Sequence, residues 1–210
     1  MMSIEKYVIS NDSTIYEAFP RIVKTNKDEL ICFFTECNSH ADRSFSRVVY
    51  TKSSDRGRTW TDKQVFSEAQ GYTYDCVGAA TLQDGRIVVV VNRTGEKGNE
   101  NILYLGEPNG VNWEGPLETP IKGIVPDNLC QLPSGRWLVA AHSKNPEHGL
   151  LEQKLWYTDD QGENWIGPVM VGSQEGLHLC EASILVLPCE TLVSYMREGS
   201  SEGWDGYKSI

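Results

Sequence analysis

The sequence predicts an all-β chain of small sheets arranged radially or stacked, and three observations carry that reading. Apolar runs are short and rich in β-branched or aromatic residues, as in 30–34, 87–91, 137–141, 184–187 and 192–195, with Gly, Asp, Asn, Ser and Pro between them. No segment holds a 3.6-residue apolar stripe over three turns, which argues against amphipathic helices. Landmarks recur every ~52 residues, at Trp60, Trp113 and Trp165, a period typical of repeated sheets of three to four strands.

The first repeated element is a strand, a tight turn and a second strand. Thr81 to Val88 contains Asp84-Gly85, which suits a two-residue hairpin because glycine accepts positive φ. Gln131 to Leu138 repeats the plan around Ser134-Gly135, Leu185 to Leu192 is a copy without the glycine, and 22–30 is a weaker fourth. The second element interleaves with these. Ser53-Ser54-Asp55-Arg56-Gly57-Arg58-Thr59-Trp60 and Thr158-Asp159-Asp160-Gln161-Gly162-Glu163-Asn164-Trp165 share a hydroxyl, Asp, Gly and Trp at the same offsets. The octet 106–113 is a degenerate copy that carries Asn, at 109, and no Asp. A carboxylate at such a turn accepts backbone N–H bonds, the glycine permits a left-handed residue, and the Trp packs between sheets. Asp55 and Asp160 are therefore expected to hold turns on the outer part of their sheets and to do no chemistry. The three tryptophans are expected to be substantially buried.

Composition narrows the function classes. The chain has 210 residues, 40% of them hydrophobic, and a formal charge of −10. That charge, with Lys and Arg scattered, disfavours nucleic acid as a partner. The first residues carry no apolar core of signal-peptide length, and no run of ~18 apolar residues occurs. The expectation is a soluble, cytoplasmic protein without a membrane partner. None of the six cysteines forms a C-x-x-C pair and the four histidines lack ligand spacing. Buried free thiols, no metal and no cofactor are expected.

The octets resemble the Asp-box (BNR repeat) of sialidases, or neuraminidases, and of other Asp-box propellers. The resemblance implies a six-bladed β-propeller, present in residues 1–210 as an incomplete ring of about four blades. It extends to landmarks in the same order along the chain. Phe19-Pro20-Arg21-Ile22 is similar to the aromatic-Arg-Ile-Pro motif, with the proline moved ahead of the Arg. By resemblance Arg21 binds the substrate carboxylate and Asp42, in the loop 39–43, is the acid. The Arg that the family places after the residue matching Glu36 is absent. Leu179 to Leu187 and Thr191 to Arg197 resemble the Glu-bearing inner strand and its partner, which makes Glu181 the base activating a tyrosine and Arg197 a second carboxylate-binding Arg. In the family a third Arg and the tyrosine come from later sheets, and 207–210 resembles the strand leading into another Asp-box.

The implied chemistry is retaining hydrolysis of the glycosidic bond of a terminal acidic sugar, with a carbohydrate as partner. Arg suits a substrate carboxylate because its planar fork binds both oxygens, and a neutral Tyr–Glu pair avoids repulsion between nucleophile and substrate. Taken singly, Arg21 and Arg197 read rather as surface arginines in salt bridges, and Asp42 reads equally as a solvated loop acid. Glu181, between Cys180 and Ala182, needs a partner. Asp75, Asp127, His142 and Asp205 fall at strand ends and are second-rank contacts, while Tyr74 and Trp204 could stack on a sugar but are expected to pack in the core. Two alternatives stand beside this reading: a glycosidase of the same superfamily with another substrate, and a non-catalytic carbohydrate-binding or scaffold propeller. Oligomeric state is not legible. The geometric expectation is that Arg21, Asp42, Glu181 and Arg197 face one cleft, with the two arginines sharing one ligand carboxylate.

Overall fold

The computed structural model describes residues 5–124, 127–188, 190–200 and 206–209. They form four antiparallel sheets of an incomplete β-propeller, and no helix occurs among them. The first sheet holds β1 (Tyr16–Lys24), β2 (Leu30–Cys37), β3 (Ser46–Ser53) and β4 (Gln64–Ser67), in that spatial order. The second holds β5 (Thr73–Thr81), β6 (Ile87–Gly95), β7 (Gly98–Gly106) and β8 (Trp113–Glu118). The third holds the two-residue β9 (Cys130–Gln131), then β10 (Trp137–Lys144), β11 (Leu151–Thr158) and β12 (Ile166–Gly172). The fourth holds β13 (Leu179–Val186), β14 (Leu192–Glu198) and β15 (Gly206–Ser209).

The continuous apolar runs are explained by burial on both faces of a sheet. In β6, Ile87, Val89 and Val91 pack with Val23, Ile31, Phe33 and Val48 of the first sheet. The alternate residues Val88 and Val90 pack with Trp137, Val139 and Ala141 of the third. Leu138 and Ala140 then turn the other way, onto Leu179, Ala182 and Met196 of the fourth. A strand sandwiched in this way has no solvent face and so shows no polar alternation. Each such Val or Leu contributes roughly 1.5–3 kcal/mol by burial.

The four hairpins are alike, and they differ from the two-residue turn expected above. Leu82 N donates to Arg86 O and Gly85 N to Leu82 O; Leu132, Leu187 and Thr25 head the same pair of bonds. The connection is thus three residues long, a type I turn closed by one left-handed residue, which relieves strand twist as a glycine-type bulge. That residue is Gly85 at φ 86° and Gly135 at φ 93°, but Asp28 and Glu190, both at φ 61°, in the copies lacking glycine.

The two full octets fold identically in the connections β3–β4 and β11–β12. Asp55 Oδ1 accepts from Thr59 N at 2.8 Å and from Ser53 Oγ at 2.8 Å, and Gly57 N donates to Ser53 Oγ. Asp160 repeats this with Asn164 N at 2.8 Å and Thr158 Oγ1 at 2.7 Å. Both carboxyls are held at about 2 by these bonds, those from Thr59 and Asn164 first. Trp60, Trp113 and Trp165 are only half-buried, less than expected, because each sits at an outer strand and covers a core with one side. Trp113 does so against Phe33 and Phe66, at ring separations of 5.7 and 5.0 Å.

Candidate functional site

Three innermost strands break register at one level of the ring: β1 between Ala18 and Arg21, β5 between Tyr74 and Val77, and β13 between Cys180 and Ser183. Bulges re-aim side chains that a regular strand would bury or alternate. Here Phe19 and Glu181 take left-handed backbones, at φ 56° and 51°. Phe19, Asp75, Cys76 and Glu181 consequently line one cleft of about 560 Å³, together with His40, Arg43, Ile124 and His142.

Three charged residues of two ion pairs, Glu181, Arg43 and Asp75, line this cleft. Arg197 Nη1 donates to both oxygens of Glu181 at 2.8 Å, and both side chains are about half-exposed. Arg43 lies deeper, with 16% of its side chain exposed and Nη2 3.6 Å from Asp75 Oδ1. Its Nη1 donates to Cys37 Sγ at 3.1 Å, and its guanidinium carbon stands 5.4 Å from the Phe19 ring centroid. These contacts preset the orientation of a cation that is weakly hydrated and fork-shaped. The Cys76 thiol is pushed up to about 12, chiefly by burial; Asp75 and Glu181 raise it while Arg43 and Arg21 lower it. The thiol is not a nucleophile at neutral pH. His142 is buried, which lowers its pKa; Glu181 pulls the other way and Arg197 adds to the lowering. Among the described residues no three His, Cys, Asp or Glu side chains converge on a metal position.

The structure brings Glu181 and Arg197 into contact and sets Arg21 on β1 within electrostatic reach of Cys76, with Nη1 donating to Pro20 O at 3.1 Å. Asp42 is placed differently. Its carboxylate turns back on its own loop, accepting from Ser44 N at 2.9 Å and Asn38 Nδ2 at 3.0 Å. Those bonds, Ser44's first, hold it below the usual carboxylate range, and it does not line the cleft although His40 and Arg43 do. Of the second-rank residues, Asp75 and His142 line the cleft. Asp127 instead borders a separate opening further along the inner strands, with Ile22, Ala79 and Ser183. Tyr74 is 1% exposed and belongs to the core, and Trp204 and Asp205 lie outside the described residues. Phe19, His40, Arg43 and Ile124 were not anticipated. Arg43 stood beside Asp42 in the same polar segment, but nothing local ranked one above the other.

No family model matches the chain, and no curated protein sequence matches it. Solved structures do. A protein of unknown function from Dyadobacter fermentans is 20% identical with a TM-score of 0.81, covering 97% of this chain and 68% of its own. A Hadza microbial sialidase is 14% identical with a TM-score of 0.71, over 92% of this chain and 44% of its own. The α-L-arabinanase of Penicillium chrysogenum, in complex with arabinobiose, is 16% identical with a TM-score of 0.66, over 91% and 61%. At these identities the likeness is one of fold, and the chain spans less than two thirds of the length of the latter two.

Proposed function

We propose that the chain supplies part of the sugar-binding cleft of a carbohydrate-active propeller, and that its chemistry is that of an exo-sialidase-like glycoside hydrolase acting with retention on a terminal acidic sugar. The observation that carries the reading is the convergence of Glu181, Arg43 and Asp75 on one bulge-lined cleft, with Arg197 paired to Glu181. Its volume falls in the range that takes small ligands. Arg43 lines the cleft and Arg197 pairs with the cleft-lining Glu181, in a protein of net charge −10, and such guanidinium groups suit an anionic ligand.

In this mechanism Arg21 and Arg197 hold the sugar carboxylate. Glu181 engages Arg197 through Nη1, so the Nη2–Nε edge of the fork can take the ligand while Glu181 stays in place. Glu181 is the base for a tyrosine nucleophile, and no tyrosine is among the described residues lining the cleft. The 210-residue chain is therefore expected to bind without turnover. For Asp42 to act as the acid, its loop must release Ser44 and Asn38 and swing inward, since an acid needs raised rather than lowered proton affinity. The Asp-box resemblance and the fold shared with a microbial sialidase support the reading.

A second reading, a glycosidase of neutral sugars, is favoured by the pairing of Arg197 with Glu181 and of Arg43 with Asp75. A fold neighbour holding arabinobiose is consistent with it. Calorimetric titration of the chain with N-acetylneuraminic acid and with arabinobiose separates the two. Binding of the acid, weakened roughly tenfold in Arg197→Lys by loss of a paired contact, is expected. Binding of arabinobiose alone overturns the acidic-sugar reading, and binding of neither leaves the scaffold role.

A further inference from the structure

Glu181 stands in a conformation that its residue type avoids. A left-handed backbone costs a non-glycine residue on the order of 1–2 kcal/mol, and at φ 51° something must hold it. The holders lie on the preceding sheet. Glu181 N donates to His142 Nδ1 at 3.2 Å, and the next amide, Ala182 N, donates to Gln153 Oε1 at 3.2 Å. His142 on β10 and Gln153 on β11 are direct cross-strand partners, 6% and 0% exposed. One buried pair thus presents two acceptors to two successive amides of the bulge.

The same strand position links sheets elsewhere, with the opposite polarity. Thr35, Asn92 and His142 stand equally far along the chain from the hairpin residues Thr25, Leu82 and Leu132. Thr35 Oγ1 donates to Asp75 O at 2.7 Å, and Asn92 Nδ2 donates to Gly123 O at 3.0 Å. Each reaches the next sheet as a donor meeting a carbonyl. His142 alone of the three accepts, from an N–H. The Asp75–Cys76 peptide turns its carbonyl toward the preceding sheet, whereas the Cys180–Glu181 peptide turns its N–H there, and that reversal is what requires positive φ at Glu181.

We propose that His142 and Gln153 are positioning residues for Glu181: they hold the 180–181 peptide reversed, and so aim the Glu181 carboxylate at the cleft and at Arg197. An imidazole whose Nδ1 accepts must be neutral with its proton on Nε2, which leaves Nε2–H as a donor for a ligand hydroxyl. Protonation puts a hydrogen on Nδ1 against the Glu181 N–H and favours the carbonyl-inward peptide of the second sheet. The groups around the ring are Gln153 on β11, Glu181 on β13, Arg197 on β14, and Asp75, Arg43 and His40 across the cleft. The consequence for catalysis rests on the role given to Glu181 above; the positioning itself does not.

The test needs no turnover. Long-range ¹H–¹⁵N spectra of the chain should show His142 as the Nε2–H tautomer at neutral pH, titrating below the ordinary histidine value of 6.5. The Nδ1–H tautomer, or titration at or above 6.5, overturns the proposal. The Cα–Hα coupling of Glu181, which reads the sign of φ, should stay positive-φ in His142→Asn, whose Oδ1 restores an acceptor, and lose that signature in His142→Phe. A folded His142→Phe that keeps positive φ also overturns it, and should that variant not fold, the tautomer of the unsubstituted chain decides. Failure of the chain to bind N-acetylneuraminic acid would sink the function proposed above and leave these readouts unchanged.

Discussion

Replacing Gly78 with Ala probes a close approach of β5 to the segment that leads into β9. A Cβ on Gly78 in β5 would stand 2.7 Å from Asp127 O and 3.3 Å from Asn128 Cα, both backbone atoms. No rotamer change relieves that contact; β5 or the 127–128 segment must move. The adjacent Ala79 N–H donates to Asn128 Oδ1 at 2.9 Å, so any separation also strains this bond. Overpacking costs about 1–3 kcal/mol and a lost hydrogen bond about 1 kcal/mol, together about 2–4 kcal/mol. At roughly 2–4 °C per kcal/mol for a chain of this size, Tm should fall by about 4–16 °C in thermal melts followed by circular dichroism. Gly135→Ala is the control, since nothing lies within 4 Å of its Cβ and only φ 93° opposes the change. It should cost about 1–2 kcal/mol and lower Tm less. If Gly78→Ala melts within a degree of the parent, the Asp127 carbonyl does not abut β5 and the packing of the second sheet on the third is wrong.

Asp55→Ala and Asp160→Ala should each lower Tm while leaving N-acetylneuraminic acid binding unchanged; altered binding would put these turns in the cleft. Both carboxyls sit at about 2 against an ordinary 3.8, so what they contribute is intact above pH 3.8 and is lost as pH falls through 2, which an acid melt can follow. The His142 pKa is lowered in the fold from 6.5, so the unfolded chain takes up its proton first. Tm should accordingly drop as pH falls below 6.5, and His142→Asn should flatten that slope; an unchanged slope assigns it to other groups. Burial pushes Cys32 up to about 11 and Cys76 up to about 12. Native chain treated with a thiol reagent near pH 8 and mapped by mass spectrometry should show both unmodified, with half-exposed Cys130 reacting ahead of them. Rapid labelling of Cys76 would mean that the cleft is more open than described.

The class, the hairpins and the repeat were legible because each is written in neighbouring residues. Four hairpins were placed from apolar runs around a turn, although only two have glycine. The left-handed residue in the other two is Asp28 or Glu190, a choice that the three-residue turn imposes. The octets were legible as turns for the same reason, since Asp55 and Asp160 bond residues within their own loops. Glu181 and Arg197 were singled out by resemblance, and the hairpin of β13 and β14 brings their side chains into an ion pair.

The cleft itself belongs to the tertiary structure. Phe19, Arg43, Asp75 and His142 come from three sheets, and what joins them is the shared level of three bulges that no local pattern announces. Glu is a poor left-handed residue, so φ 51° at Glu181 is set by acceptors on another sheet and not by its own chemistry. Asp42 and Arg43 are placed differently for the same reason. Asp42 satisfies its oxygens within its own loop, whereas Arg43 finds Phe19, Cys37 and Asp75 only after the chain has packed. Short-range hydrogen bonding and the repeat period are properties of the linear chain; which charges face each other depends on sheets that meet only when folded.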